Sequence, residues 1–253
     1  MLKAILFDLD DTLIDWSHFS SNWEEVESRH LSGLYTFLCD TIQPFSTKDN
    51  FTEGYIQRTR EAWSNARTTL IAPHLGRIII ETASALGIPA EMLDEKACLK
   101  AYQWGAVPGT SPFPDVIESL TLLRERGLRM GIVTNAFQPM WMRDEEMNQH
   151  GLLEFFPECR FSAADVGRLK PHADIFATAL NCLDLPPEEV VFIGDNPTAD
   201  VAGAQSAGMN AILRSKRSTR SYKKGLVVPD GTIDSLKQLP PILDALYPGW
   251  GNG

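Results

Sequence analysis

Four aspartates stand where carboxylates from different parts of the chain could share one cation. Asp8 and Asp10 directly follow a short apolar run near the N-terminus, and Asp195 follows a second run, with Asp200 five residues later. Carboxylates held close together repel one another unless a cation neutralises them. Oxygen ligands without His or Cys favour Mg²⁺ over zinc or copper. The four aspartates therefore predict a magnesium site.

A threonine and a lysine near the ends of other predicted elements extend this chemistry. Thr134, followed by Asn135, ends another apolar run, and Lys170 precedes a proline and a helical pattern. An aspartate beside a metal and a lysine can attack phosphorus, because the two cations neutralise charge on the phosphoryl oxygens. A second aspartate two residues on can protonate the leaving oxygen and then activate water. The set suits phosphoryl transfer.

The elements that must position these residues are short strands alternating with helices. The apolar runs at residues 4–7, 131–133, 190–193 and 210–213 have the length of strands buried on both faces, and residues 160–162 form a weaker candidate. Helical spacing of apolar residues fills the intervals between them. This alternation predicts an α/β fold with a doubly wound parallel sheet, Rossmann-like in architecture. Ligands bind such sheets at the carboxyl ends of the strands.

A long segment after the first predicted strand has a different pattern. Residues 16–105 contain several helical stripes and no convincing strand. We therefore expect an α/β core of residues 1–15 and 106–253, with residues 16–105 inserted as a helical domain. Residues 105–109 are expected to form the return hinge, and residues 248–253 a loose tail.

Four motifs in this order resemble those of the haloacid dehalogenase-like (HAD) hydrolases. The first is FDLDDTL at residues 7–13, the second IVTN at residues 132–135, the third KP at residues 170–171, and the fourth GDNPTAD at residues 194–200. The inserted helical segment lies between the first and second motifs, where this family places its C1-type cap. The resemblance implies an aspartyl-phosphate mechanism with Mg²⁺.

The resemblance also implies a role for each residue that matches a motif. Asp8 would be the nucleophile and a metal ligand. Asp10 would be the general acid and base, and a metal ligand through its main-chain carbonyl. Thr134 and the N–H of Asn135 would bind a phosphate oxygen, and Lys170 would bridge nucleophile and phosphate.

The fourth motif completes the implied metal site. Asp195 would bind the metal directly or through water, and Asp200 would hold Lys170 or the waters of the metal in place. Thr12, in the first motif, is expected only to support the turn after Asp10.

Asp10 separates the branches of the family. Its dehalogenases typically lack an aspartate at this place, because halide leaves without a proton. The presence of Asp10 favours Mg²⁺-dependent hydrolysis of a small phosphomonoester. A phosphomutase, a haloacid dehalogenase-type hydrolase, and a catalytically silent binding or regulatory protein stay open as alternatives.

The inserted segment must supply substrate contacts, and its pattern is less informative. Its arginines outnumber its acids between residues 53 and 80, and we predict that Arg58 and Arg60 bind an anionic part of the substrate, although a solvated helix face has the same pattern. Trp16, Phe19 and Trp23, with His18, either line the pocket entrance or form core. A basic run at residues 214–224 either steers phosphorylated substrates or is a solvated loop.

Net charge and cysteine placement limit the kinds of partner and the location expected for this chain. The net charge of the 253 residues is −10, which argues against binding to nucleic acid or to a membrane surface. We expect a small phosphorylated metabolite as the partner and a monomer or homodimer as the assembly. The four cysteines are scattered without metal-site spacing and are expected to be buried thiols. Together with the lack of a signal-like N-terminus, they favour a cytoplasmic location.

Overall fold

A computed structural model describes residues 1–20, 23–215 and 227–251, without the side chain of Glu24. Within these ranges, six parallel strands form the main sheet, in the spatial order β5-β4-β1-β6-β7-β8. Two short antiparallel strands, β2 and β3, form a separate ribbon. The strands are β1 (Ala4–Phe7), β2 (Ile14–Asp15), β3 (Ser111–Pro112), β4 (Arg129–Thr134), β5 (Arg160–Ser162), β6 (Val190–Gly194), β7 (Asn210–Arg214) and β8 (Gly231–Ile233).

Helices connect and cover these strands. The α-helices of the described residues are α1 (Trp23–Thr41), α2 (Lys48–Thr69), α3 (Leu75–Ala85), α4 (Glu95–Tyr102), α5 (Val116–Glu125), α6 (Met140–Gln149), α7 (Ala163–Val166), α8 (Ala173–Leu183), α9 (Gly203–Ser206) and α10 (Leu239–Leu246). A π-helical turn, Pro197–Ala202, leads directly into α9.

The central strands are buried on both faces, as their continuous apolar sequence predicts. All four residues of β1 are inaccessible, and they alternate between two hydrophobic clusters: Ile5 and Phe7 pack on one face of the sheet, Ala4 and Leu6 on the other. Strand β1 lies between β4 and β6, and the chain proceeds outward from it in both directions. The prediction of an α/β fold with a doubly wound parallel sheet is confirmed.

Helices α1 to α4 share a third hydrophobic cluster. Leu34 and Leu38 of α1 pack there with Phe51 and Tyr55 of α2 and Ile79 of α3. Apart from one isolated bridge, the described residues between 16 and 105 contain no strand. This agrees with the expected helical character of the segment, while its division from the core at residues 15 and 106 stays a prediction.

Two expectations, one about the cysteines and one about the C-terminal tail, are wrong. Cys159, just before β5, and Cys182, in α8, form a disulfide, because the fold brings together positions that are 23 residues apart. Cys39 and Cys98 are free thiols. The tail is not loose at Trp250, which is buried in the core and donates its indole N–H to Asp244.

The basic run at residues 214–224 falls almost wholly outside the described residues. Its first member, Arg214, is not a solvated side chain: it is buried at the end of β7 in an ion pair with Asp115. None of the helices in the described ranges combines the length and apolar character required to cross a bilayer.

Candidate active site

The predicted site residues meet at the carboxyl edge of the sheet. Asp8 follows β1, Thr134 ends β4 and Asp195 follows β6, and these three strands are neighbours. A cavity of about 320 Å³ opens at this edge and is lined by all three residues together with Lys170. The main-chain N–H of Asp8 donates to the carbonyl of Ile193, which holds the start of the loop against β6.

Lys170 is the centre of the charged contacts. Its Nζ lies 2.7 Å from Oδ1 of Asp8 and 2.7 Å from Oδ1 of Asp200, and it donates to the carbonyl of Val133 at 2.7 Å. Burial acts to lower the pKa of this ammonium, but Asp200 and Asp8 outweigh it and raise the pKa above the ordinary value. Lys170 is therefore a fixed positive charge beside Asp8, held in place by Asp200.

Asp8 itself is buried among charges of both signs. Burial, with Asp200 and Asp195, raises the pKa of Asp8 to about 8, against the lowering effect of Lys170. Thr12 donates its hydroxyl to Oδ2 of Asp8 at 3.1 Å. Thr12 thus contacts the predicted nucleophile directly, which corrects the expectation that it only supports the turn.

Three carboxylates form a group suited to a divalent cation. Asp8, Asp195 and Asp200 each present an oxygen within 4.8 Å of the others. Bringing negative charges this close in a buried site is costly, and a cation coordinated by oxygen removes that cost. The donor set therefore fits Mg²⁺. The carboxylate of Asp10 lies outside this group, and its predicted contact through the main-chain carbonyl stays a prediction.

The glycine of the fourth motif is required by the position of Asp200. A Cβ added to Gly194 would lie 2.4 Å from Cγ of Asp200, a separation too short for two non-bonded carbons. The N–H of Asn196 also donates to Oδ2 of Asp200 at 2.8 Å. Asp200 thus reaches Lys170 by passing directly over the end of β6.

Two donors among the described residues orient Asp10, and the sequence predicted neither contact. The indole N–H of Trp16 donates to Oδ1 of Asp10 at 3.0 Å, and Nη2 of Arg143 donates to the same oxygen at 2.6 Å. Arg143 lies in α6, 133 positions away from Asp10.

Arg143 is held in turn by a buried acid. Its Nε lies 3.2 Å from Oε2 of Glu146, and the indole of Trp104 donates to that oxygen at 2.8 Å. Burial raises the pKa of Glu146 to about 7, with Arg143 opposing and Asp10 reinforcing the increase. The pattern of α6 gave no signal for this pair, since charged residues in a helix usually face solvent.

Aromatic side chains also line the cavity. Trp16 and Trp23 both contact it, and their rings are packed at 6.2 Å, so this part of the sequence does line the pocket. Phe19 packs against both tryptophans, and neither Phe19 nor His18 is among the lining residues. The lining aromatics that the sequence did not indicate are Trp63, Trp104 and Phe137.

The structure does not bring Arg58 and Arg60 to this cavity, which corrects their prediction as substrate-binding residues. Helix α2 contacts the cavity through Trp63. Arg58 lies five residues earlier, about 140° around the helix, and donates to the carbonyl of Gly54. Arg60 borders a separate outer groove beside Lys48.

Asn135 makes a contact other than the predicted one. Its side chain binds the main chain of Lys170, whereas the predicted interaction of its N–H with a phosphate oxygen stays a prediction. The buried Thr134 lies against the cavity, as its predicted role requires.

This sheet edge, with its aspartates and buried lysine, has the form of a hydrolase centre of the HAD type, and sequence comparison identifies the family. Residues 2–208 match the haloacid dehalogenase-like hydrolases, and the chain belongs to that family. The glyceraldehyde 3-phosphate phosphatase of Methanopyrus kandleri is 30% identical over 97% of this chain and 99% of its own length. The ribulose-1,5-bisphosphate 5-phosphatase of Halopiger xanaduensis is 26% identical over 96% and 100%. The predicted family and enzyme class are confirmed.

Solved structures give the same fold. A HAD phosphatase from Thermococcus onnurineus superposes with a TM-score of 0.61 at 25% identity, covering 96% of this chain and 98% of its own. A 2-haloacid dehalogenase from Pseudomonas syringae superposes with a TM-score of 0.62 at 24% identity, covering 97% and 99%. The fold is therefore shared by both branches, and the site residues must distinguish them.

Proposed function

We propose that this protein hydrolyses small phosphomonoesters through an aspartyl-phosphate on Asp8, with Mg²⁺ as cofactor. The observation that carries the proposal is the contact of the buried Lys170 with Asp8 and Asp200 at the carboxyl edge of the sheet. A lysine in this place compensates the negative charge of both a carboxylate nucleophile and an incoming phosphate.

The carboxylates of Asp8, Asp195 and Asp200, with the main-chain carbonyl of Asp10, would hold the metal. When bound, Mg²⁺ would neutralise charge on the carboxylates and on a phosphate oxygen. This role requires no other cofactor in the cavity.

The chain's own residues divide the remaining work. A carboxylate oxygen of Asp8 forms the bond to phosphorus while Lys170, Thr134 and the N–H of Asn135 hold the phosphate oxygens. The bond to the ester oxygen breaks, and that oxygen takes its proton from Asp10. Asp10 then accepts a proton from the water that hydrolyses the aspartyl-phosphate.

The cavity lining favours a small leaving group without a second anionic group. The cationic side chains among the described lining residues are Lys170 and Arg143, and carboxylates contact both. Four tryptophans and one phenylalanine also line the wall, and the C–H face of a sugar or polyol packs well against indole and phenyl rings. Relatives named as glyceraldehyde 3-phosphate phosphatases agree with this preference. We propose as substrate a triose phosphate or the phosphate ester of a similar uncharged polyol.

We further propose that residues 16–105 act as a cap. Trp23, Trp63 and Trp104 come from this segment and line the cavity that the carboxylates also line. Closing them over the site would exclude bulk water from the aspartyl-phosphate. A monomer or homodimer in the cytoplasm completes the proposal; the location rests on the N-terminal sequence, since the Cys159–Cys182 disulfide removes the support from free cysteines.

The test is phosphate release from a panel of phosphomonoesters with Mg²⁺ or with EDTA, using the wild type and Asp8→Asn. The panel contains glyceraldehyde 3-phosphate, phosphoglycolate and ribulose 1,5-bisphosphate. We expect the wild type to release phosphate only when Mg²⁺ is present. Release should be highest with glyceraldehyde 3-phosphate, whose leaving group is neutral. Equal or higher activity on the two more anionic esters would contradict the proposed substrate class.

Chloride release from 2-chloropropionate is measured in parallel. Chloride without phosphate would identify a dehalogenase. Neither product, together with a folded protein and a stable partner complex, would identify a silent binding member.

A further inference from the structure

Both donors to the Asp10 carboxylate contact the same oxygen. Trp16 Nε1 and Arg143 Nη2 converge on Oδ1, at 3.0 and 2.6 Å. The Asp10 side chain is 36% exposed, whereas Arg143 is only 3% exposed. The two donors therefore fix one oxygen, and the carboxyl group keeps an accessible part at the cavity.

This arrangement bears on where a proton can reside. A protonated carboxyl group has one hydroxyl oxygen and one carbonyl oxygen, and the carbonyl oxygen is the better acceptor. Two N–H donors at Oδ1 make it the carbonyl oxygen, so the proton is placed on Oδ2. A general acid needs its proton on the oxygen that faces the leaving group.

Arg143 can fix Oδ1 only if its own side chain is fixed. Oε2 of Glu146 forms an ion pair with its Nε at 3.2 Å, although Nε has no hydrogen-bond partner among the described residues. Trp104 donates to Glu146, and the guanidinium carbon lies 5.7 Å from the centre of the Trp104 ring. A planar guanidinium held at one edge by a carboxylate presents its other nitrogens in a defined direction. Asp10 and, when it is ionised, Glu146 balance the charge of Arg143, so the guanidinium can be buried.

We propose that Arg143, held by Glu146 and Trp104, is a positioning residue that orients Asp10 as the general acid. The inference rests on the proposed function. In the step concerned, Asp8 forms the bond to phosphorus and the bond from phosphorus to the ester oxygen breaks. The electron pair stays on that oxygen, which takes the proton from Oδ2 of Asp10.

The test uses two esters that differ in their need for a proton. Glyceraldehyde 3-phosphate releases an alkoxide that must be protonated, whereas p-nitrophenyl phosphate releases a stable anion. The measured quantity is kcat/KM, which reports the steps up to release of the leaving group and excludes the later hydrolysis of the aspartyl-phosphate. The variants are Arg143→Met, Arg143→Lys and Trp16→Phe, with Arg214→Met as the control.

Arg214 is a matched control because it is also 3% exposed and ion-paired, with Asp115, but is not among the lining residues of the cavity. We expect Arg143→Met to lower kcat/KM for glyceraldehyde 3-phosphate at least about tenfold, part of the roughly 10²- to 10⁴-fold that acid–base catalysis contributes. For p-nitrophenyl phosphate we expect less than about a threefold change. Arg143→Lys should recover part of the loss, and Arg214→Met should leave the ratio of the two substrates unchanged.

Equal losses on both esters, or no loss on either, would show that Arg143 has only a structural role. If Arg143→Met does not fold, Trp16→Phe decides, because it removes the other donor to Oδ1 and keeps an aromatic ring; an unchanged substrate ratio there overturns the inference. A wild type that cleaves neither ester refutes the proposed function, whereas activity with an unaltered ratio in the variants refutes only the role of Arg143.

Discussion

The side-chain amide of Asn135 makes two hydrogen bonds with the main chain of Lys170. Its Oδ1 accepts from the Lys170 N–H at 2.7 Å, and its Nδ2 donates to the Lys170 carbonyl at 3.2 Å. This reciprocal pair links the end of β4 to a loop 35 residues later. It fixes the main chain from which the lysine side chain extends to Asp8. Asn135 therefore positions the lysine through its side chain, independently of the phosphate contact predicted for its main-chain N–H.

Asn135→Ala should therefore displace Lys170. We expect kcat to fall about tenfold and the free energy of unfolding to fall by about 1–3 kcal/mol, because two partly buried hydrogen bonds are lost. Steady-state kinetics and urea unfolding measure the two effects. Asn210→Ala is the control, since its amide donates to Tyr247 away from the cavity. A kcat that falls no more in Asn135→Ala than in Asn210→Ala would contradict the positioning role.

Gly194→Ala should separate Asp200 from Lys170. The added Cβ would lie 2.4 Å from Cγ of Asp200, and a strand flanked by two neighbours cannot move aside freely. We expect at least about a tenfold loss of activity and roughly 1–3 kcal/mol of destabilisation, as for other overpacked sites. Gly33→Ala is the control, because its Cβ would approach the carbonyl of Ala101 at 3.4 Å and alanine favours the helix. Wild-type turnover in Gly194→Ala would show that the contact is dispensable.

The sheet and the charged centre could be predicted because local pattern determines them. A run of apolar residues that ends in an acid predicts both the buried strand and the polar group at its carboxyl end, as at Asp8 and Asp195. Parallel connections then place these ends together. The contact of Asp200 with Lys170 followed from the resemblance to HAD motifs, not from local pattern.

The contacts that were missed depend on tertiary packing between distant segments. Arg143 resembles any surface arginine until the fold places it beside Asp10. Arg58 illustrates the converse error, because a basic helix face does not reveal which direction it points. The pairing of Cys159 with Cys182 and the burial of Trp250 likewise depend on elements meeting in space.

Mg²⁺ should stabilise the folded chain without substrate. A ligand that binds only the folded state adds about 2.7 kcal/mol at a concentration of 100 Kd, so the Tm should rise as Mg²⁺ is titrated. Asp195→Asn should raise the Mg²⁺ concentration needed for the same increase in Tm at least about tenfold, because it removes one charged ligand from the group. Asp184→Asn, an exposed site in the left-handed region that Asn tolerates, should respond like the wild type. Identical titrations of the wild type and Asp195→Asn would place the metal elsewhere.

Glu146 should make stability depend on pH in a defined direction. Burial raises its pKa from an ordinary value of 4.5 to about 7 in the folded chain. At low pH the group is protonated in both states, and its contribution is fully present. Between pH 4.5 and 7 the unfolded chain releases the proton while the folded chain retains it, so folding requires proton uptake. Stability due to Glu146 is therefore lost as pH rises across this window and is constant above it.

Glu146→Gln should remove this dependence, because the amide does not titrate and still offers an oxygen to Trp104. Urea unfolding in EDTA at several pH values from 4.5 to 7.5 gives the difference in free energy between the wild type and the variant. We expect the wild type to lose up to about 3 kcal/mol relative to Glu146→Gln across the window. Glu154→Gln, at an exposed glutamate 3.3 Å from Arg124, is the control variant measured in the same way. A difference that stays constant, or that shifts in favour of the wild type as pH rises, would mean that Glu146 is ionised throughout and that its pair with Arg143 outweighs the cost of burial.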